Sequence, residues 1–134
     1  MSFPARLYKF GQTTSADIME RFDEQRHQKR AWRSIPLSRD YTVKPLWSRW
    51  VTAQEAIEAE KWFADNYPKT FYCDISYNGI GECREWSPKE SYAFRSLIDK
   101  KFPDRAGERK VNGYERYMKI YYVMLTKKVN DEIS

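Results

Sequence analysis

Two short signals fix most of the frame of this chain: Thr52-Ala53-Gln54-Glu55 and Ser87-Pro88-Lys89-Glu90. Each places a hydroxyl residue three positions before a glutamate. Side chain and backbone can then satisfy each other's free N–H groups at a helix start. Pro88 falls at the first helical position, where a missing N–H costs nothing. The first signal opens a helix to about Tyr67, stopped by Pro68; the second opens one to about Phe102, ahead of Pro103.

The segments between and around these helices read largely as strands. Residues 5–11 alternate weakly and end at Gly11. Residues 41–51 form a strand broken by Pro45, which predicts an edge position or a bulge. Residues 71–77 are β-rich, 78–81 form a turn and 82–86 a short return strand. A further helix is predicted over 15–33, with Ile18, Met19 and Phe22 inward and a polar, basic far half. Residues 103–113 read as a polar loop. Residues 114–126 favour a strand through 119–125, although Tyr117, Ile120, Tyr121 and Met124 also fit helical spacing. The order is that of an α+β fold: a small mixed or antiparallel three- to four-stranded sheet flanked by helices. With 134 residues, one domain over 1–134 is expected, its sheet completed by 114–126.

Charge and composition narrow the function. The formal net charge is +5, and Arg26, Lys29, Arg30, Arg33, Arg39, Lys44 and Arg49 face only Asp40 across 26–49. With Trp32, Trp47 and Trp50 interleaved, this is either a solvated face or a nucleic-acid surface. A Trp-rich protein-docking face around Trp47 and Trp50 is a third reading. Cys73, Cys83 and the single His27 cannot by themselves build a zinc site, and no Ser–His–Asp set is credible around His27. No stretch is apolar enough to cross a membrane, and no signal peptide is visible, so the cytoplasm is expected.

Three places are candidates for chemistry. The turn after Gly11 sets a backbone bend beside a helix start, a combination that favours anions. On the helix opened by Thr52, residues Ala56, Ile57, Phe63, Ala64 and Tyr67 are expected on one face, with Glu60 in its middle. A carboxylate there needs an ion-pair partner, a hydrogen bond or a metal. Arg21 either pairs with an acid or neutralises a phosphate. An arginine and a glutamate meeting in one cleft would suit phosphodiester hydrolysis.

At this point the motifs resemble the GIY-YIG nuclease superfamily, in its phage and bacterial branch with a Lys-Ile-Gly form of the second motif. Lys9-Phe10-Gly11-Gln12-Thr13 is similar to that motif, Arg21 falls at the family's helical arginine, and Glu60 at its metal-binding glutamate. Gly81-Glu82-Cys83-Arg84-Glu85-Trp86 resembles the branch's late Gly-x-x-x-Glu-Trp element. The resemblance implies a three-stranded sheet flanked by helices and DNA cleavage by an activated water, in the host cytoplasm if the chain is viral. It implies one Mg²⁺ on Glu60, Arg21 stabilising the transition state, and Lys9 with Tyr8 or a tail tyrosine handling the nucleophile. Arg26, Lys29, Arg30 and Arg33 would contact the DNA backbone. The family's first strand has no room before Tyr8, and the histidine after its glutamate has no counterpart. Residues 118–125 read like that first strand moved to the C-terminus, as in a circular permutation. Tyr121 or Tyr122 would then supply the missing tyrosine, and alternation lets only one of them face the site. The alternative is a non-enzymatic DNA- or protein-binding protein on a degenerate nuclease scaffold.

Overall fold

The computed structural model describes residues 4–20, 22, 35–69, 71, 77 and 79–128. Four strands, β1 (Arg6–Thr13), β2 (Tyr41–Thr52), β3 (Cys83–Arg84) and β4 (Tyr117–Lys127), form one antiparallel sheet in the order β2-β4-β1-β3. The helices are α1 (Leu37–Asp40), α2 (Ala53–Asn66), α3 (Pro88–Lys101) and α4 (Ala106–Asn112). Residues 18–20 and 22 are also helical.

Both capping boxes close as their sequences dictate. Thr52 and Glu55 exchange side-chain-to-backbone hydrogen bonds at the start of α2, and Ser87 and Glu90 do so at α3. The earlier helix begins later than expected: the Asp17 carboxylate accepts from the Met19 N–H at 2.9 Å, and helix starts at 18. β2 lies at the sheet edge, and its register slips between Pro45 and Trp47, where proline cannot donate to the ladder. The tail residues 117–127 form a strand, which settles their ambiguity, preceded by a short 3-10 turn over Tyr114–Arg116. β4 runs antiparallel beside the whole of β1, from Arg6 opposite Thr126 to Thr13 opposite Lys119. The segment 103–113 is not all loop, since α4 occupies most of it on the surface.

Alternation along β1 and β4 sorts side chains onto two faces. One face carries Tyr8, Phe10, Ile120 and Tyr122, covered by α2 and α3 through Ala56, Ala59, Phe63, Phe94 and Ile98. The other carries Leu7, Tyr121, Val123 and Leu125, packed with Ile18, Phe22, Leu37 and Tyr77. The inward face of α2 differs in phase from the sequence reading. Ile57 and Ala64 are exposed, and its buried stripe is Ala56, Ala59 and Phe63. Glu60 therefore borders that stripe and is half-buried.

Phe94 is the hub of the first face. Its ring lies 5.0–5.8 Å from those of Phe10, Trp62, Phe63, Tyr67, Trp86 and Tyr122. Phe94→Leu is expected to cost about 1–3 kcal/mol, from lost ring contacts plus misfit in a close-packed site. Urea denaturation followed by near-ultraviolet circular dichroism reads this; no shift in midpoint would contradict the assignment of the hub.

Candidate active site at the glycine edge of β1

The two-residue β3 pairs with β1 only at Tyr8 and Lys9. Beyond Lys9, the edge of β1 carrying Gly11 and Gln12 has no partner strand on that side among the described residues. Lys9 sits at this edge and is almost fully buried. Its Nζ donates to Glu82 Oε2 and to Tyr121 Oη, each at 2.8 Å. The ammonium also lies 5.0 Å from the Tyr121 ring centre and 5.8 Å from that of Phe22.

Tyr121 is opposite Gly11 across the β1–β4 ladder. A Cβ on Gly11 would meet Tyr121 Oη at 2.6 Å and Lys9 Nζ at 2.9 Å, so only glycine leaves room for this contact. Gly79 serves similarly from the other side. It takes a left-handed conformation, and a Cβ there would lie 2.9 Å from Lys9 Cε. The 3-10 turn that follows, Ile80–Glu82, presents Glu82 to Lys9. Buried Arg84 anchors this turn, donating to the carbonyls of Gly81, Cys83 and Tyr67.

Electrostatics follow from that packing. Burial alone would lower the Lys9 pKa, but the charges and hydrogen bonds of Tyr121 and Glu82 outweigh it and hold the group above its ordinary value. Lys9 is therefore a fixed ammonium at neutral pH, not a proton acceptor. Glu60 joins the site from α2. It senses the charges of both Glu82 and Lys9. Burial first, then the Glu82 charge, raises its pKa above the ordinary carboxylate value. Glu60 makes no ion pair among the described residues. Glu55, one turn away, behaves oppositely. Hydrogen bonding to Arg105 is the main cause of its lowered pKa, and it is a structural ion pair. Burial pushes the adjacent free Cys83 thiol up to about 12, which leaves it inert.

Of the residues singled out in the sequence, the fold brings Lys9 and Tyr121 into contact, and Glu60 on α2 senses the Lys9 charge. The fold places Tyr8 and Tyr122 elsewhere: both are buried on the opposite face, stacked at 5.8 Å, with the Tyr122 hydroxyl 2.6 Å from Ser91 Oγ. Arg21, Arg26, Lys29, Arg30 and Arg33 lie outside the described residues. Glu85 is exposed, and Trp86 packs into the aromatic core. Trp47 and Trp50 form no bare apolar patch: Trp47 Nε1 donates to Asp99, and the Arg109 guanidinium covers Trp50 at 3.6 Å. Glu82 escaped the sequence reading. The left-handed Gly79 ahead of Glu82 was the only local hint.

No cluster of three or more His, Cys, Asp or Glu side chains occurs among the described residues. Mg²⁺ commonly uses one or two carboxylates and completes its shell with water and substrate phosphate. Glu60, with Glu82 nearby, fits that requirement. The raised Glu60 pKa marks negative charge that the protein leaves under-compensated and that a cation would relieve.

In comparisons with known proteins, no family model, no curated protein and no solved structure matches the chain. Among the described residues, no helix is long and apolar enough to cross a membrane.

Proposed function

We propose that this protein is a small, phage-like, metal-dependent DNA endonuclease of GIY-YIG type, built on a circularly permuted order of strands. One observation carries the reading: the antiparallel pairing of β1 with β4 sets Tyr121 beside Lys9 and Gly11.

The chemistry is hydrolysis of a phosphodiester. A water oxygen bonds to phosphorus, the bond from phosphorus to one sugar oxygen breaks, and that oxygen leaves with a proton. The Tyr121 oxygen already accepts from Lys9, so its own hydroxyl proton is directed to another acceptor. Tyr121 is itself buried, so in this reading it positions the Lys9 ammonium rather than meeting the phosphate. Lys9 supplies a fixed positive charge beside the charge that develops on phosphate. Glu60, with Glu82 alongside, would hold Mg²⁺. When bound, the metal would neutralise phosphate charge and orient the scissile group. By the family resemblance, Arg21 adds a second cation, and Arg26, Lys29, Arg30 and Arg33 track the DNA backbone.

One feature favours a second reading, in which the site binds nucleic acid without cutting it: the Lys9 ammonium is already engaged by Glu82. Supercoiled plasmid separates the two. The nuclease reading expects nicked circles with purified protein and Mg²⁺, and none with chelator. Plasmid retained on the protein but uncut with Mg²⁺, at any concentration tried, would leave the binding reading standing.

A further inference from the structure

A pocket of about 300 Å³ lies on the opposite side of the sheet from the Lys9 ammonium, between β1, β2 and α3. Lys44, Met124 and Tyr8 form one cross-strand row beneath it, with Arg6 two residues along β1 on the same face. α3 closes the other wall with Tyr92 and Arg95. Three cations thus line one concavity, and among the described residues no carboxylate does. None of the three forms an ion pair among the described residues. The acid whose charge Arg95 senses, Asp99, is held by Arg49 and Trp47. The Tyr92 ring is 66% exposed at the rim, with the Arg95 guanidinium 5.8 Å from its centre.

Unpaired cations around an apolar floor suit an anion that also carries a flat apolar group. A nucleotide has both, and an unpaired base offers a face that a base inside a duplex does not. We infer that this pocket binds a nucleotide of single-stranded nucleic acid, its phosphates on Arg6, Lys44 and Arg95 and its base against Tyr92. This is a site separate from the glycine edge of β1, and it needs no hydrolysis there.

The test is fluorescence anisotropy with a labelled thymidine hexanucleotide, in low salt and chelator so that the probe stays intact. Lys44→Gln with Arg95→Gln should weaken binding at least tenfold and flatten the log–log salt dependence by about 1.4, for two lost phosphate contacts. Tyr92→Ala should weaken it about fivefold or more. Thymidine monophosphate should displace the probe where inorganic phosphate at the same concentration does not. Equal displacement by inorganic phosphate would reduce the pocket to a simple anion site and overturn the nucleotide assignment. Better competition by duplex of the same length, or a double variant that binds within twofold of wild type, would overturn it as well. Arg6→Gln, at an exposed position, gives an independent arm should the double variant melt early. Because the readout is binding in chelator, its failure is distinct from a failure to nick plasmid.

Discussion

Lys9→Met is expected to lower plasmid nicking by on the order of 10²–10³-fold, the range seen when one preorganised donor is removed from developing charge. The fold should survive. Methionine fills the volume of the lysine stem, and Glu82, whose side chain is 46% exposed, regains water when its partner goes. The contacts with Glu82 and Tyr121 outweigh the desolvation of the ammonium, so the variant should lose about 1–3 kcal/mol of stability while staying folded. Linkage supports the separation. The folded-state pKa of Lys9 lies above its ordinary 10.5, so its contribution to stability is complete below that value and is lost only as pH rises through the folded value. The stability difference between wild type and variant should therefore be flat from about pH 6 to 9. Paired nicking assays and thermal melts decide the matter. A variant that nicks normally removes Lys9 from the chemistry, and one that loses activity only because it melts early makes Lys9 structural.

The same residue marks the boundary of what the sequence discloses. Signals confined to a few residues survive folding: the Thr52–Glu55 and Ser87–Glu90 boxes form as written, and Pro45 sits at a bulge in an edge strand. Strand alternation was also legible, and it required that only one of Tyr121 and Tyr122 reach the site. Which of the two does so depends on the register of β4 against β1, set by residues more than a hundred positions apart. Phase around a helix is less legible, because it depends on what covers the helix. Ile57 and Ala64 read as core and are exposed, while Ala59 is buried. That shift moves Glu60 from the middle of an apolar stripe to its border, where it is only half-buried. Glu82 was not legible because its partner lies 73 positions away and no local pattern encodes the pairing. The short turn carrying Glu82 depends on Gly79, whose reason for being glycine, the Lys9 side chain, becomes visible only in three dimensions.

The largest effect is expected at Glu60. Glu60→Ala should abolish Mg²⁺-dependent nicking, by on the order of 10³-fold or more, because the principal metal-binding oxygens are lost. DNA affinity should stay within about twofold, since the residues proposed for backbone contact, Arg26, Lys29, Arg30 and Arg33, are other ones. Stability without metal should not fall by more than about 1 kcal/mol: the group is half exposed, so solvent screens its interactions, and it holds no ion pair among the described residues. The metal gives a readout independent of catalysis. A ligand present at ten times its dissociation constant stabilises the native state by about 1.4 kcal/mol. Wild type should thus melt higher in Mg²⁺, and the variant should not. Glu55→Ala is the control on the same helix. It breaks a pair with Arg105 that lowers the Glu55 pKa, so it should cost stability while sparing both nicking and the Mg²⁺ shift. Equal nicking by wild type and Glu60→Ala would reject the nuclease assignment. An unchanged Mg²⁺ shift in the variant would move the metal away from Glu60 even if nicking were lost. The two carboxylates, one turn apart, separate because one is held by a guanidinium while the other is disfavoured by burial and then by the Glu82 charge, an imbalance that a bound cation would relieve.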